Sequence, residues 1–439
     1  MFARYIIAAV LLFSLPLTSY GLGLQEEKKY GRQVYLEIVK SAHLTHDPYI
    51  SLHLDEIRER LEGAANAPFA LRLTVVESPS VEAFATVGGY VYVTTGLIDM
   101  CDREEELAGV LGHEFGHVGK RHIAKRVEKE KFLSVGTLAT LLLAALIPSP
   151  AGKAALMTSG LGATQAMSLK YSREDEEEAD RAGLATAESV GYSGKGIAEF
   201  LKKLRATGLD KTLPQYLLTH PYSEDRVIRI ESAYRLKKTT VDTSLFPFIV
   251  VRTKILSRPF DSELEGIWLN RYAKDPQNPA AAYGAALVYS LKGDVPSAIR
   301  TVNTINSPYR SLFLGEILIS GNRFGEAAEV LRTRTDPISR YLLAKAYEGQ
   351  GQFGLATQAL RDILPQALTF PDIYQRLGMV RGRLGDEAGG YEYLGRYYFE
   401  TGREQAARTY LEKAVAKYGI NTPEAAEVMK LLDEMKKSR

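Results

Sequence analysis

Residues 107–122 read LAGVLGHEFGHVGKRH, and the pentapeptide HEFGH at 113–117 decides how the chain around it is read. Leu107, Val110, Leu111, Glu114 and Val118 recur at three- and four-residue steps, the period of a helix with one face turned inward. On such a helix His113 and His117 stack one turn apart, so both imidazoles reach one metal ion. Glu114 is the turned neighbour that stands beside a reacting water. Hydrolytic zinc takes three protein ligands and leaves the fourth position to water. The pentapeptide therefore supplies two ligands and a base, and the third ligand has to come from elsewhere.

Two places offer it. A metzincin pattern needs Gly and His three and six residues after the second histidine, but Lys120 and Ile123 hold those positions. His122, five residues beyond His117, is rotated by roughly 140° on a 3.6-residue helix. It should miss the metal and serve as a polar residue at a helix end. The other place is YSREDEEEADRAG, Tyr171 to Gly183. A charge run is ordinarily a solvated face, yet Glu176, Ala179, Asp180 and Gly183 fall at i, i+3, i+4 and i+7. An acid followed by small residues is what close approach to another helix requires. Gly116 costs its own helix roughly 1 kcal/mol relative to Ala, and the same crossing gives it a purpose. Glu176 is then the third zinc ligand, while Asp180 accepts a hydrogen bond from a ligating imidazole and fixes its tautomer.

Composition bounds the rest. The 439 residues are 45% hydrophobic and 25% charged, enough for two or three domains with cores of their own. With 55 basic and 53 acidic residues the formal net charge is +2, so no field directs the chain to nucleic acid. The single cysteine, Cys101, excludes an internal disulfide and any multi-cysteine metal site, and reads as a small buried hydrophobe. MFARYIIAAVLLFSLPLTSYGLG at the start has Arg4, an apolar run from about Tyr5 to Leu15, then Pro16 and small residues. That is the anatomy of a signal peptide over residues 1–23, and it predicts export to a bacterial periplasm.

Residues 25–62 read as a polar helical cover. LRLTVVES, Leu71 to Ser78, alternates at strand period, and AFATVGGYVYVTTG, Ala83 to Gly96, reads as two further strands turning at Gly88-Gly89. Together they predict a small antiparallel sheet. Between the two metal helices, Phe132 to Ile147 is apolar for about sixteen residues, short of the roughly twenty that a membrane span needs. Pro148 and Pro150 break it, so it reads as a buried helix or lid over the site that also makes peripheral membrane contact.

Beyond about Thr240 the chain becomes self-similar. Tyr391, Leu394, Gly395, Tyr398, Gly402, Ala407, Leu411 and Ala414 match the tetratricopeptide spacing at each marker. Leu343 to Leu360 and Ala285 to Val302 repeat it more loosely, and Tyr374, Leu377, Gly378 and Gly385 begin another copy. Such units bury their faces only by stacking, which predicts a solenoid that binds peptides or partner proteins. Gly293, Gly321, Gly351 and Gly385 are spaced by 28, 30 and 34 residues, so the stack is irregular.

HEFGHVGKRH, preceded by GGYVYVTTGLID and followed by SREDEEEAD, resembles the gluzincin family of HtpX and the CAAX prenyl proteases, peptidase family forty-eight of the metallopeptidases. There the third ligand is the Glu of an E-x-x-A-D motif, which maps onto Glu176 and Asp180. The resemblance extends to LLTHPYSEDRVIRI, where His220, Pro221 and Arg226 match a family His-Pro with an Arg six residues beyond the His. It implies that His220 and Arg226 contact substrate or oxyanion near zinc. In the BepA-like periplasmic branch, with C-terminal tetratricopeptide repeats, it further implies a histidine that occupies the open zinc position and holds the enzyme latent. From spacing alone His220 is a loop histidine and Arg226 a surface charge. Where the family often has Asn-Ala-Phe, this chain has Glu82-Ala83-Phe84; the strand there still suits β-addition of an extended peptide.

The expected architecture is α+β. A mainly helical metalloprotease domain with a small antiparallel sheet spans residues 24–245, and an all-α tetratricopeptide solenoid with linking helices spans 246–439. One Zn2+ per chain is held by His113, His117 and Glu176 with Glu114 as general base. The implied substrates are misfolded or stalled envelope proteins, and the implied partner of the solenoid is the outer-membrane assembly machinery. A scaffold or chaperone with a latent protease site is the alternative.

Overall fold

A computed structural model of the chain describes residues 22–129, 134–146, 171–208 and 216–437. All but the last two residues of the expected signal peptide lie outside the described residues, as do Phe132, Ile147 and the Gly/Ala/Met-rich stretch that follows.

Two helices come first, α1 (Leu24–Ser41) and α2 (Pro48–Glu62). Asp47 starts α2 by accepting the Ile50 N–H at 3.1 Å, with Pro48 at the first helical position, where its missing N–H costs nothing. The sheet follows as β1 (Arg72–Val76), β2 (Ala83–Ala85) and β3 (Tyr90–Thr94), in the order β1-β3-β2. β2 and β3 pair antiparallel around Gly88 and Gly89, whose φ of 78° and 90° only glycine adopts easily. β1 runs parallel to β3, in register Arg72↔Tyr90, so the sheet is mixed rather than wholly antiparallel. The reason is the segment after Val76: it carries the chain past the position of β3 before β2 turns back, and β3 fills the gap between them.

β3 leads into α3 (Thr95–Met100), the metal-motif helix α4 (Glu104–Gly119) and the short α5 (His122–Lys129). Glu104, Glu105 and Glu106 occupy the first turn of α4, where the helix dipole favours anions. Residues 104–118 are buried all round, which marks α4 as the axis of this part of the molecule. α6 (Val135–Leu146) packs on α1: Leu138, Leu141 and Leu142 are buried with Val34, Tyr35 and Ile38 and with Tyr90 and Tyr92 of the sheet. The apolar stretch is therefore a packed cover, and no described helix is long and apolar enough to cross a membrane.

The acid run forms α7 (Arg173–Ser189), opened by a reciprocal cap in which Ser172 Oγ accepts the Asp175 N–H and Asp175 Oδ2 accepts the Ser172 N–H, both at 3.1 Å. α8 (Lys195–Gly208) flanks α4, and the helical turn α9 (Tyr216–Thr219) and α10 (Glu224–Ala233) complete this half.

From Phe246 onward the chain is all helix: α11 (Phe246–Leu256), α12 (Ser262–Lys274), α13 (Pro279–Leu291), α14 (Val295–Val302), α15 (Arg310–Ser320), α16 (Phe324–Leu331), α17 (Pro337–Gly349), α18 (Phe353–Arg361), α19 (Asp372–Arg383), α20 (Glu387–Glu400), α21 (Glu404–Tyr418) and α22 (Pro423–Lys437). From α12 to α22 each helix packs on the next in a tetratricopeptide-like stack. Most turn glycines take positive φ, but at Gly321 the left-handed position passes to Asn322, with φ 56°, so the turns at Gly293, Asn322 and Gly351 are evenly spaced and only the step to Gly385 is longer.

The solenoid closes back on the first half. α11 packs on α2 and α3, and α17 on α2. Buried Arg252 of α11 bridges Asp47 at 2.7 Å and Glu316 at 2.6 Å. Glu400 at the end of α20 takes Arg32 of α1 at 3.0 Å and Arg72 of β1.

Candidate metal centre

α4 and α7 cross at Gly112 and Gly116 on one helix and Ala179 and Gly183 on the other. A Cβ on Gly116 would lie 2.8 Å from the Ala179 carbonyl oxygen, and one on Gly183 would lie 2.6 Å from the His113 nitrogen. Backbones at this separation put His113, His117 and Glu176 within reach of one point. His220, which follows α9, reaches the same point from a third direction.

The four donor atoms form a tight set. His113 Nε2 is 3.0 Å from His117 Nε2 and 3.2 Å from His220 Nδ1, while Glu176 Oε1 is 2.9 Å from His220 Nδ1 and 3.4 Å from His117 Nε2. A tetrahedral zinc with bonds near 2.0–2.1 Å has donor–donor edges of about 3.3 Å. Imidazole lone pairs converging at such distances repel unless a cation sits between them. The donor set and its spacing thus fit one divalent ion such as Zn2+, held by His113, His117, Glu176 and His220.

Outer contacts fix two of the four donors, His113 and Glu176. His113 Nδ1 lies 2.9 Å from Asp180 Oδ1. Arg226 Nε and Nη2 each donate to Asp180 at 2.8 Å, and its Nη1 lies 2.6 Å from Glu176 Oε2. Arg226 is only 2% exposed, which corrects the surface-charge reading that spacing alone gave, and His220 lies in the bend after α9, as read, but is fully buried. Their burial follows from contacts between distant segments that no local period encodes. Burial by itself would raise the Glu176 carboxyl, but His220, His113 and Arg226 outweigh it and hold it well below the usual range. Burial lowers His117, and the His113 and His220 rings add to the effect against the pull of Glu176.

Glu114 is fully buried next to this set. Its Oε2 accepts the Ala85 N–H of β2 at 3.0 Å, and its Oε1 accepts the Tyr216 hydroxyl at 3.4 Å and lies 3.5 Å from His220 Nε2. Burial raises its carboxyl above the ordinary value, against the opposing pull of His220 and His113. A carboxylate made more basic beside a metal is suited to take a proton near neutral pH.

Two aromatic neighbours, Tyr171 and Tyr216, were given no role by the sequence. Tyr171, the residue before the cap of α7, stacks on His117 with centroids 3.7 Å apart. Tyr216 stacks on His220 at 4.5 Å. His122 is not among the donors, but its Nδ1 lies 2.8 Å from His117 Nδ1. The helix register sets it aside as a ligand and reads it as a polar residue at a helix end, without showing this contact.

Comparison with known proteins agrees with the geometry. The sequence profile of peptidase family M48 matches residues 51–234. The Beta-barrel assembly-enhancing protease of Escherichia coli (strain K12) is 30% identical over 363 residues, covering 76% of this chain and 73% of that protein. A Putative beta-barrel assembly-enhancing protease of Vibrio cholerae is 31% identical over 281 residues, covering 61% and 57%. The Mitochondrial metalloendopeptidase OMA1 of Arabidopsis thaliana is 32% identical over 152 residues, 35% of this chain and 29% of that one.

Proposed function

The chain belongs to peptidase family M48 and is a zinc metalloendopeptidase, and from that premise we propose how its residues divide the work. His113, His117 and Glu176 hold the ion, and Asp180 and Arg226 brace two of these ligands. Zinc bound here would supply a Lewis acid that acidifies water and polarises a peptide carbonyl. Glu114 takes the proton of the attacking water and delivers it to the leaving amine. The outer edge of β2, beside Glu114, aligns an extended peptide.

His220 holds the remaining position at rest and keeps the protease latent. The observation behind this is its complete burial between Glu176 and Glu114, with Nδ1 among the donors. The same closure favours the second reading, a scaffold whose protease site is silent until a client arrives. Residues 24–245 serve as the protease domain and 246–439 as the solenoid, which offers a surface for protein partners. The expected signal peptide and the relatives named above support a periplasmic location. Relatives named for β-barrel assembly support misfolded or stalled outer-membrane proteins as substrates, and the assembly machinery as partner.

The test is Glu114→Gln. The protein should keep stoichiometric zinc and lose hydrolysis of an unfolded protein substrate, whereas Glu176→Ala should lose the metal. Cleavage retained by purified Glu114→Gln would overturn the assignment. Full rescue of a deletion strain by that variant would favour the scaffold.

A further inference from the structure

We propose that His122 is a positioning residue for the metal ligand His117, through a directed hydrogen-bond relay that ends on the carboxylates of α7. The inference rests on the reading of His117 as a ligand through Nε2. With Nε2 turned to the ion, the ring proton of His117 sits on Nδ1. That atom is 2.8 Å from His122 Nδ1, so His122 must present a lone pair there and carry its own proton on Nε2. His122 Nε2 in turn lies 3.2 Å from Glu178 Oε2 and 3.5 Å from Asp175 Oδ1, both acceptors. With His117 Nε2 committed to the ion, a proton on His122 Nδ1 would set two N–H groups facing each other at 2.8 Å.

The relay is built by α5. Its first residue is His122, and one turn on is Arg126, whose guanidinium lies 4.8 Å over the ring of Tyr171. Tyr171 covers the face of His117 while His122 grips its edge. The ligand ring is thus held on its face by Tyr171, ahead of α7, and at its edge by His122 of α5. His122 is 3% exposed, whereas the side chain of Glu178 is 43% exposed, so the relay runs from the buried ligand to the surface. The two histidine ligands are supported differently: His113 meets a carboxylate directly, and His117 meets one through an intervening imidazole.

Loss of an outer partner of this kind weakens metal binding by about 10–100-fold. Zn2+ affinity is read by chelator competition on the full chain, alongside the melting temperature of the zinc-free protein. His122→Leu should weaken zinc by about that factor with the zinc-free melt unchanged, and His122→Asn, which keeps an acceptor near the place of Nδ1, should recover most of it. Zinc affinity of His122→Leu within twofold of the natural protein, or equal losses in the two variants, would overturn the relay. A measurement needing no variant is the imidazole 1H–15N spectrum of the zinc-loaded protein: His122 should carry its proton on Nε2, and a proton on Nδ1 would overturn the proposal. Unchanged zinc affinity in His117→Ala would sink the ligand assignment itself, a failure distinct from that of the relay.

Discussion

Gly183→Ala tests whether helix contact sets the metal centre. The added methyl would stand 2.6 Å from the His113 nitrogen, while ordinary contact begins near 3.4 Å, so α7 must back away from α4 by about 0.8 Å. Three terms compete. Alanine favours the helix by roughly 1 kcal/mol, and overpacking costs about 1–3 kcal/mol, leaving a net loss of about 0–2 kcal/mol in the zinc-free protein. The third term acts on Glu176, which moves with α7. Metal–ligand distances hold within about 0.2 Å, so a displacement several times larger should weaken zinc by at least about tenfold, or 1.4 kcal/mol. Chelator competition reads the third term, and melting of the zinc-free protein reads the first two. Gly266 of α12 is the control: a Cβ there meets nothing within 4 Å, so Gly266→Ala should raise stability by about 0.4–1 kcal/mol and leave zinc alone. If Gly183→Ala behaves like the control, with tighter folding and undiminished zinc affinity, the crossing is not what positions Glu176.

Glu400, drawn down to about 2 by Arg32 and Arg72 against the opposing cost of burial, contributes stability that is complete above about pH 4.5 and lost as pH falls toward 2. The contribution is about 3 kcal/mol, and denaturant melts at pH 5 and pH 3 should show it shrinking in the natural protein but not in Glu400→Gln. Arg252→Met leaves the carboxylates of Asp47 and Glu316 facing without their cation, and should cost about 3–5 kcal/mol in denaturant unfolding. Tyr216→Ala removes the ring stacked on His220, and release of about 0.5–1.5 kcal/mol of stacking should raise cleavage of an unstructured peptide by roughly two- to tenfold. Unchanged or lower activity in that variant would count against His220 as a latch.

What was legible follows from how local each signal is. The pairing of HEFGH with Glu176, Ala179, Asp180 and Gly183 could be read because both halves obey a helical period, and small residues announce a close crossing whatever the fold around them. The parallel partner of β1 could not, since a strand's period says which face is buried and nothing about which neighbour it joins. The rotation argument for His122 assumed one continuous helix. In fact α4 ends at Gly119, Arg121 takes φ 56°, and α5 starts afresh at His122, which returns the imidazole to the edge of His117. Gly119 signals the stop, but no residue encodes the angle of the restart. The internal ties of the solenoid to the first half, through Arg252 and Glu400, join positions hundreds of residues apart and leave no mark on either repeat.

The burial of the centre constrains how a peptide can enter. His113, Glu114 and His220 are almost wholly covered, so some segment has to move before a substrate carbonyl reaches them. Parting α4 from α7 would break glycine-mediated backbone contact along a whole crossing and scatter the ligands at the same stroke. The segment from Tyr216 to His220, though buried, is tied to the centre by side chains and one backbone hydrogen bond rather than by a helix crossing. Its ties include a 3.4 Å hydroxyl contact to Glu114, a 3.3 Å hydrogen bond from the Tyr171 N–H to the Thr219 carbonyl, and ring stacking. Moving it frees Glu114 of the Tyr216 hydroxyl while leaving His113, His117 and Glu176 in place. An opening of this kind gates the chemistry without dismantling it, which is what a protease embraced by its own interaction solenoid requires.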